Sequence, residues 1–281
     1  MKTVIQKADL DTCLTGLILE VKESDNIIVS KGEACADDLE NPDVCCIEAG
    51  GSGLVHLNNF DHHNCGIYLP PACRQAFESC GKTDPELKRL TSYVCIVDEA
   101  LRLENPIPFP SLSNLFSGML FTESDARQQF FKGMAMLRTV LDEKRSPFRT
   151  MPDLEEWKIY RRAKEEHIRK LREISGLGDF YISESGLRLG FAETGLIMSG
   201  KGFLYEHNCD AVILHNPAFG IPPISKYTIV SKEIPLDGLK KIFDSIEIGW
   251  GGRDTILGSP RKGTLLDKKQ VLEIVLKNLE N

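Results

Sequence analysis

The sequence lacks the signatures of most specialised chains. No apolar run approaches the roughly 18 residues that a bilayer-spanning helix needs, and MKTVIQKADLD meets charge at Lys7 before an export-type apolar core can form. A soluble, cytoplasmic protein with no membrane partner is expected. Positive charge is in the minority, with 34 Lys and Arg against 41 Asp and Glu and a formal charge of -7. That excludes the broad basic face needed to coat duplex nucleic acid and leaves room only for a local basic pocket. There is no CxxC pair, and the nine cysteines are an odd count with eight of them in the first third. A disulfide framework and a zinc ribbon are both disfavoured, and small buried thiols kept reduced are expected. Internal repeats and low-complexity tracts are also missing.

What is present is globular composition: 281 residues, 42% apolar and 27% charged, enough for two ordinary domains. Lys2 to Gln6 is a short β-branched run followed by a helix-like stretch from Cys13 to Leu19. Asn26 to Ser30 reads as a second strand, and Asp43 to Gly51 as a third that runs into glycines. Strands separated by helical stretches and ending in polar residues and glycines predict an α/β fold with a parallel sheet, its site at the carboxyl ends of the strands. Helices are expected through much of 85–145, interrupted by Pro106, Pro108 and Pro110. Between Asp153 and Ile174, Leu154, Trp157, Tyr160, Leu171 and Ile174 recur at helical spacing among mixed charges, which reads as a linker helix. Core or interface packing is the better reading of Trp157 and Tyr160 than stacking on a ligand. Beyond it, short strands near 180–182, 187–189, 211–214 and 227–230 alternate with helical stretches near 195–207, 236–245 and 267–279. They predict a smaller, mixed α/β domain. The division expected is 1–150, a linker at 151–176, and 177–281.

Histidine is scarce, six in all, yet two are adjacent in Asn59-Phe60-Asp61-His62-His63-Asn64-Cys65-Gly66, with His56 close by. Asp9 and Asp11 lie two apart, so at an extended strand end they point to the same side. Two carboxylates held together raise each other's pKa unless a cation neutralises them. With Asp98, read as lying at another strand end after Tyr93-Val94-Cys95-Ile96-Val97, and His62 or His63, the set offers hard oxygen and imidazole donors suited to Mn²⁺ or Mg²⁺. Such ions can hold a phosphate and activate water against it. Each residue also has a plainer reading: Asp11 before Thr12 and Cys13 is well placed to cap a helix, Asp98 could cap another, and a His-His pair can be a satisfied structural element.

Taken in order, DxD, an acidic residue after an apolar run, DHH and a further Asp after an apolar run resemble the DHH family of phosphoesterases over about residues 3 to 100. The first motif matches Lys7-Ala8-Asp9-Leu10-Asp11-Thr12, the second falls at Glu48, the third at Asp61-His62-His63 and the fourth at Asp98. Ile248-Gly249-Trp250-Gly251-Gly252-Arg253-Asp254-Thr255-Ile256-Leu257-Gly258-Ser259-Pro260-Arg261 resembles the glycine-rich motif of the DHH-associated C-terminal domain. The resemblance implies an N-terminal DHH domain carrying one or two Mn²⁺ (or Mg²⁺) ions and a C-terminal substrate-binding domain across a cleft. By the same resemblance Asp9, Asp11, Glu48, His62 and Asp98 would be metal ligands, His63 would contact the scissile phosphate, and Asp61 would orient the neighbouring imidazole. Gly251, Gly252, Arg253, Arg261 and Lys262 would bind substrate. The chain departs from the family where a histidine usually stands two or four residues before the first Asp, here Lys7 and Ile5. It departs again at Glu48, which is one methylene longer than the usual Asp, and at Arg253, where a histidine is common.

The activity implied is metal-dependent hydrolysis of a small phosphorylated substrate by activated water: a short oligonucleotide, a nucleotide bisphosphate or a cyclic dinucleotide. Short single-stranded nucleic acid and a second copy of the chain are the other partners considered. The alternative is a catalytically impaired protein of the same fold that binds a nucleotide or phosphorylated ligand, which Lys7 and Glu48 motivate.

Overall fold

The computed structural model describes residues 1–281 except 64, 100, 102–104, 176–177, 194, 196–203, 205–206, 221 and 281, and the side chains of 171, 174 and 175. It forms two compact units, Met1–Glu166 and His167–Asn281.

The first unit is built on a parallel sheet. Its strands β1 (Lys2–Ile5), β2 (Asn26–Val29), β3 (Val44–Ile47) and β4 (Asn59–Phe60) lie in the order β2-β1-β3-β4. All three pairings are parallel. The central strand β3, Val-Cys-Cys-Ile, is buried at every position, as an interior parallel strand covered on both faces must be. Alternation sorts its side chains: Cys45 and Ile47 join Ile5 in the main core, while Val44 and Cys46 join Val4, Ala34 and Ala49 on the other face. The buried thiols are thus packing residues, and among the described residues every cysteine is free.

Helix α1 (Leu10–Ile18) is buried along its whole length. The short helix α2 (Ala36–Leu39) lies between β2 and β3, and α3 (Ala72–Ser79), α4 (Pro85–Asp98), α5 (Leu112–Thr122), α6 (Ala126–Asp142) and α7 (Lys158–Ser175) follow. Local sequence explains the starts. Asp84 caps α4 ahead of a proline in its first turn, Ser111 and Asn114 form a capping box on α5, and Asp125 caps α6. Trp157 is buried and part of the core, and Tyr160 packs against it. The division between units falls within α7, inside the stretch read from sequence as a linker. Gly118 of α5 lets a neighbouring backbone come close: a Cβ there would stand 2.0 Å from the Tyr160 carbonyl oxygen. Because that obstacle is main chain and cannot rotate away, Gly118→Ala is expected to cost about 2 kcal/mol or more in a urea titration.

The second unit holds a mixed sheet of β5 (Asp179–Ile182), β6 (Arg188–Glu193), β7 (Ala211–Phe219), β8 (Ile224–Ser231), β9 (Gly251–Arg253) and β10 (Ile256–Gly258), in the order β5-β6-β7-β8-β10-β9. Among the described pairings of this sheet only β6 and β7 run parallel. Leu189, Phe191, Ile213, Tyr227 and Ile229 pack on α8 (Asp237–Ile246) and α9 (Lys268–Asn278) through Phe243, Val271 and Val275. The helical stretch expected near 195–207 lies largely outside the described residues. No described helix is long and apolar enough to cross a membrane.

Candidate functional site

The site is assembled at the carboxyl ends of β1, β3 and β4. Strand β1 ends at Ile5, and after three intervening residues the chain enters α1 with Asp9 as its cap, one carboxylate oxygen accepting from the Thr12 N–H at 2.9 Å. Capping therefore falls to Asp9 and not to Asp11. Asp11, 1% exposed, lies in the first turn of α1 and caps a different helix: its two oxygens accept from the backbone N–H groups of Ala72 and Cys73, both at 2.8 Å, at the start of α3.

Glu48 follows β3 with a φ of 49°, a left-handed conformation uncommon for a residue with a side chain. Its Oε2 accepts from the Thr12 hydroxyl at 3.0 Å. Gly50 donates its N–H to Asp61 at 2.6 Å. Asp61 also accepts from the His63 backbone N–H at 2.7 Å and from His63 Nδ1 at 3.0 Å. The imidazole that Asp61 orients is thus that of His63. Burial alone would push the Asp61 carboxyl up, but the donors from His63 and Gly50 outweigh it and hold it below its ordinary range.

Asp98 is not at a strand end. It is the last residue of α4, where the helix dipole is unfavourable to a negative charge. Its Oδ2 lies 3.3 Å from His62 Nε2, which in turn is 3.4 Å from Glu48 Oε1. Glu48 Oε1, His62 Nε2 and Asp98 Oδ2 are all buried and none has a hydrogen-bond partner. Asp11, Glu48, His62 and Asp98 each offer one donor atom, all within 4.8 Å of one another.

The electrostatics express the same crowding. Burial raises the carboxyls of Asp11, Glu48 and Asp98, and the neighbouring carboxylates raise them further; Asp11 stands well above its ordinary value. The Glu48 carboxylate, with Asp98 behind it, raises His62. Unsatisfied buried groups of this kind cost roughly 1–3 kcal/mol each, so their convergence fits a bound cation. Three carboxylate oxygens and one imidazole nitrogen suit Mn²⁺ or Mg²⁺.

Of the residues expected from sequence, Asp11, Glu48, His62 and Asp98 meet at one point and His63 lies beside them, its Nδ1 3.7 Å from Glu48 Oε1. Asp9 does not share that set; its Oδ2 pairs with Lys7 Nζ at 2.5 Å. His56 is exposed in a 3₁₀ turn. Sequence reasoning missed Thr12, Gly50 and the α3 N-terminus. The glycine pair after β3 was the available signal for Gly50; the contacts of Thr12 and α3 exist only in three dimensions.

In the second unit part of the glycine-rich segment is a strand. Gly251, Gly252 and Arg253 form β9 at the sheet edge, paired antiparallel with β10. A Cβ on Gly252 would stand 1.8 Å from the Ile256 carbonyl oxygen, so strand packing by itself requires glycine there. Arg253, Arg261 and Lys262 are exposed. Lys226 donates to the carbonyls of Ser259 and Pro260, fixing the turn that bears Arg261 and Lys262.

No family model matches the sequence, and no curated protein does. Among solved structures the chain resembles a pGpG-specific phosphodiesterase from Vibrio cholerae at a TM-score of 0.62 and 15% identity, with 98% of each chain covered. It also resembles the DHH domain of a member of a family of ribosomal proteins, at a TM-score of 0.58 and 13% identity, with all of this chain and 87% of that one covered.

Proposed function

We propose that this chain, which has the fold of the DHH phosphoesterases, is a metal-dependent hydrolase of a small phosphorylated molecule. The carrying observation is the convergence of Asp11, Glu48, His62 and Asp98 with three buried donor atoms that have no hydrogen-bond partner. Those four residues would hold a divalent ion, which when bound supplies a Lewis acid that activates water and neutralises phosphate charge. The protein's own part is positional. Thr12 fixes one oxygen of Glu48, the α3 N–H groups fix Asp11, and Asp61 holds His63 through Nδ1. That leaves His63 Nε2 to meet a phosphate oxygen or pass a proton to the departing one. Asp61 acts through His63 and is a positioning residue. Arg253, Arg261 and Lys262 are the proposed anion-binding groups of the second unit.

The likeness to a pGpG-specific enzyme makes a linear dinucleotide the first substrate to try. The test is a panel of pGpG, a cyclic dinucleotide, a nucleotide bisphosphate and short oligonucleotides, assayed with Mn²⁺ and with chelator. Metal-dependent turnover that His63→Ala reduces supports the reading; turnover indifferent to metal and to His63 removes it. The Lys7–Asp9 pair favours a second reading, a ligand-binding protein of impaired activity. It predicts tight binding of one panel member with no turnover and no bound manganese.

The metal should stabilise the fold in a pH-dependent way. Asp11, Glu48 and Asp98 are raised in the folded chain, so their contribution to metal-free stability is fully present below the unfolded carboxyl pKa and is lost as pH rises through the folded values. Protons on these groups and on His62 compete with the ion. The rise in melting temperature on adding Mn²⁺ is therefore expected to be larger at pH 8 than at pH 5. An equal or reversed increment, read by thermal shift, would refute it.

A further inference from the structure

We propose that Lys7 is the second cation of this site: the cluster takes a single divalent ion, and Asp9 is the partner of the Lys7 ammonium instead of a ligand of that ion. This rests on the reading above, that the cluster holds a divalent metal.

Sequence treats Asp9 and Asp11 as equivalents; their surroundings do not. One oxygen of Asp9 accepts from the Thr12 N–H at 2.9 Å and the other meets a full positive charge, Lys7 Nζ at 2.5 Å, whereas the two oxygens of Asp11 meet only backbone N–H groups. Glu48 Oε1, His62 Nε2 and Asp98 Oδ2 are buried and have no hydrogen-bond partner, and no atom of Asp9 is among them. Nor does Asp9 join Asp11, Glu48, His62 and Asp98 within their 4.8 Å set. A second group, Glu48, His62 and His63, borrows two residues from the first. It adds only His63, whose Nδ1 is held by Asp61 at 3.0 Å. It therefore offers no second ligand set while Asp9 is held by Lys7.

A second divalent ion at Asp9 would have to displace an ammonium already in contact, or share one carboxylate with it against their mutual repulsion. The Asp9 carboxylate, and beyond it those of Glu48 and Asp98, favour the Lys7 ammonium against the cost of its partial burial. Its side chain is 59% exposed, so solvent and an incoming phosphate can both reach it. A lysine ammonium is a compact point charge that suits a phosphate oxygen. Lys7 would then contribute charge where a second ion would otherwise be required, and would do so without depending on metal supply.

The experiment counts ions. Protein stripped with chelator is titrated with Mn²⁺ by calorimetry, and the loaded sample is examined by electron paramagnetic resonance. Wild type should bind one equivalent and give the spectrum of a magnetically isolated ion. Lys7→Ala and Lys7→Met, at an exposed position where folding is not at stake, should release Asp9, admit a second equivalent and broaden the spectrum through spin coupling. Lys7→Arg should retain one. Two equivalents in wild type, or one of unchanged affinity in Lys7→Ala, overturns the inference while leaving the hydrolase reading intact. No bound ion in wild type overturns both.

Discussion

His62→Ala is expected to abolish measurable Mn²⁺ binding and to lower phosphodiester hydrolysis by roughly three orders of magnitude, about 4 kcal/mol of transition-state stabilisation. His62 Nε2 faces Asp98 Oδ2 at 3.3 Å and Glu48 Oε1 at 3.4 Å, so its removal takes away the only nitrogen donor of the set of four. The substitution is also clean. Asp61 bonds to His63 and Gly50 and not to His62, so the neighbouring imidazole keeps its Asp61 hydrogen bonds while losing the edge contact with the His62 ring. His63→Ala should do the complementary thing, retaining metal affinity while losing roughly 10²–10³-fold in kcat, within the range of a lost proton-transfer group. Metal titration and steady-state kinetics on the two variants check this together. If His62→Ala keeps both metal and rate, the cluster is not the active centre.

The second large effect falls on stability. Asp11→Ala leaves the buried N–H groups of Ala72 and Cys73 at the start of α3 with no acceptor. Two orphaned donors, set against relief from the Glu48 carboxylate beside them, amount to about 3 kcal/mol in the metal-free chain. Asp11→Asn retains an acceptor oxygen and loses the charge, so it should recover part of that stability without recovering metal affinity. Urea unfolding in chelator reads the first effect and Mn²⁺ titration the second. A loss below about 1 kcal/mol for Asp11→Ala would mean that α3 is held by other contacts.

These two residues show how far the sequence can be read. The parallel sheet was legible because β1 and β3 are compact apolar runs, Thr-Val-Ile and Val-Cys-Cys-Ile, each followed by polar or glycine positions. Four of the five residues expected as metal ligands do share one point, since each sits where an element ends. What could not be read was which partner each would find. Asp9 and Asp11 look alike in a line of letters, and only the approach of Lys7 to one and of α3 to the other separates them. Asp98 was misassigned to a strand end because Tyr-Val-Cys-Ile-Val is rich in strand-forming residues. The helix is set further back, by the Asp84 cap and Pro85. The two-residue β4 and the eight-residue α3 escaped notice because both are shorter than the window over which a periodic pattern can be read. At Gly251-Gly252-Arg253 the structure adds a second reason for glycine that the letters do not show: the Ile256 carbonyl demands it at Gly252.

Asp98 closes α4, Asp11 secures the beginning of α3, Glu48 follows β3 and His62 follows β4. An ion gripped by all four would fasten together segments scattered from position 11 to position 98, acting as a removable rivet in the architecture of the first unit. Starvation for the metal would then loosen the framework as well as silence the chemistry, and a cell's proteolytic machinery could tell the loaded protein from the empty one.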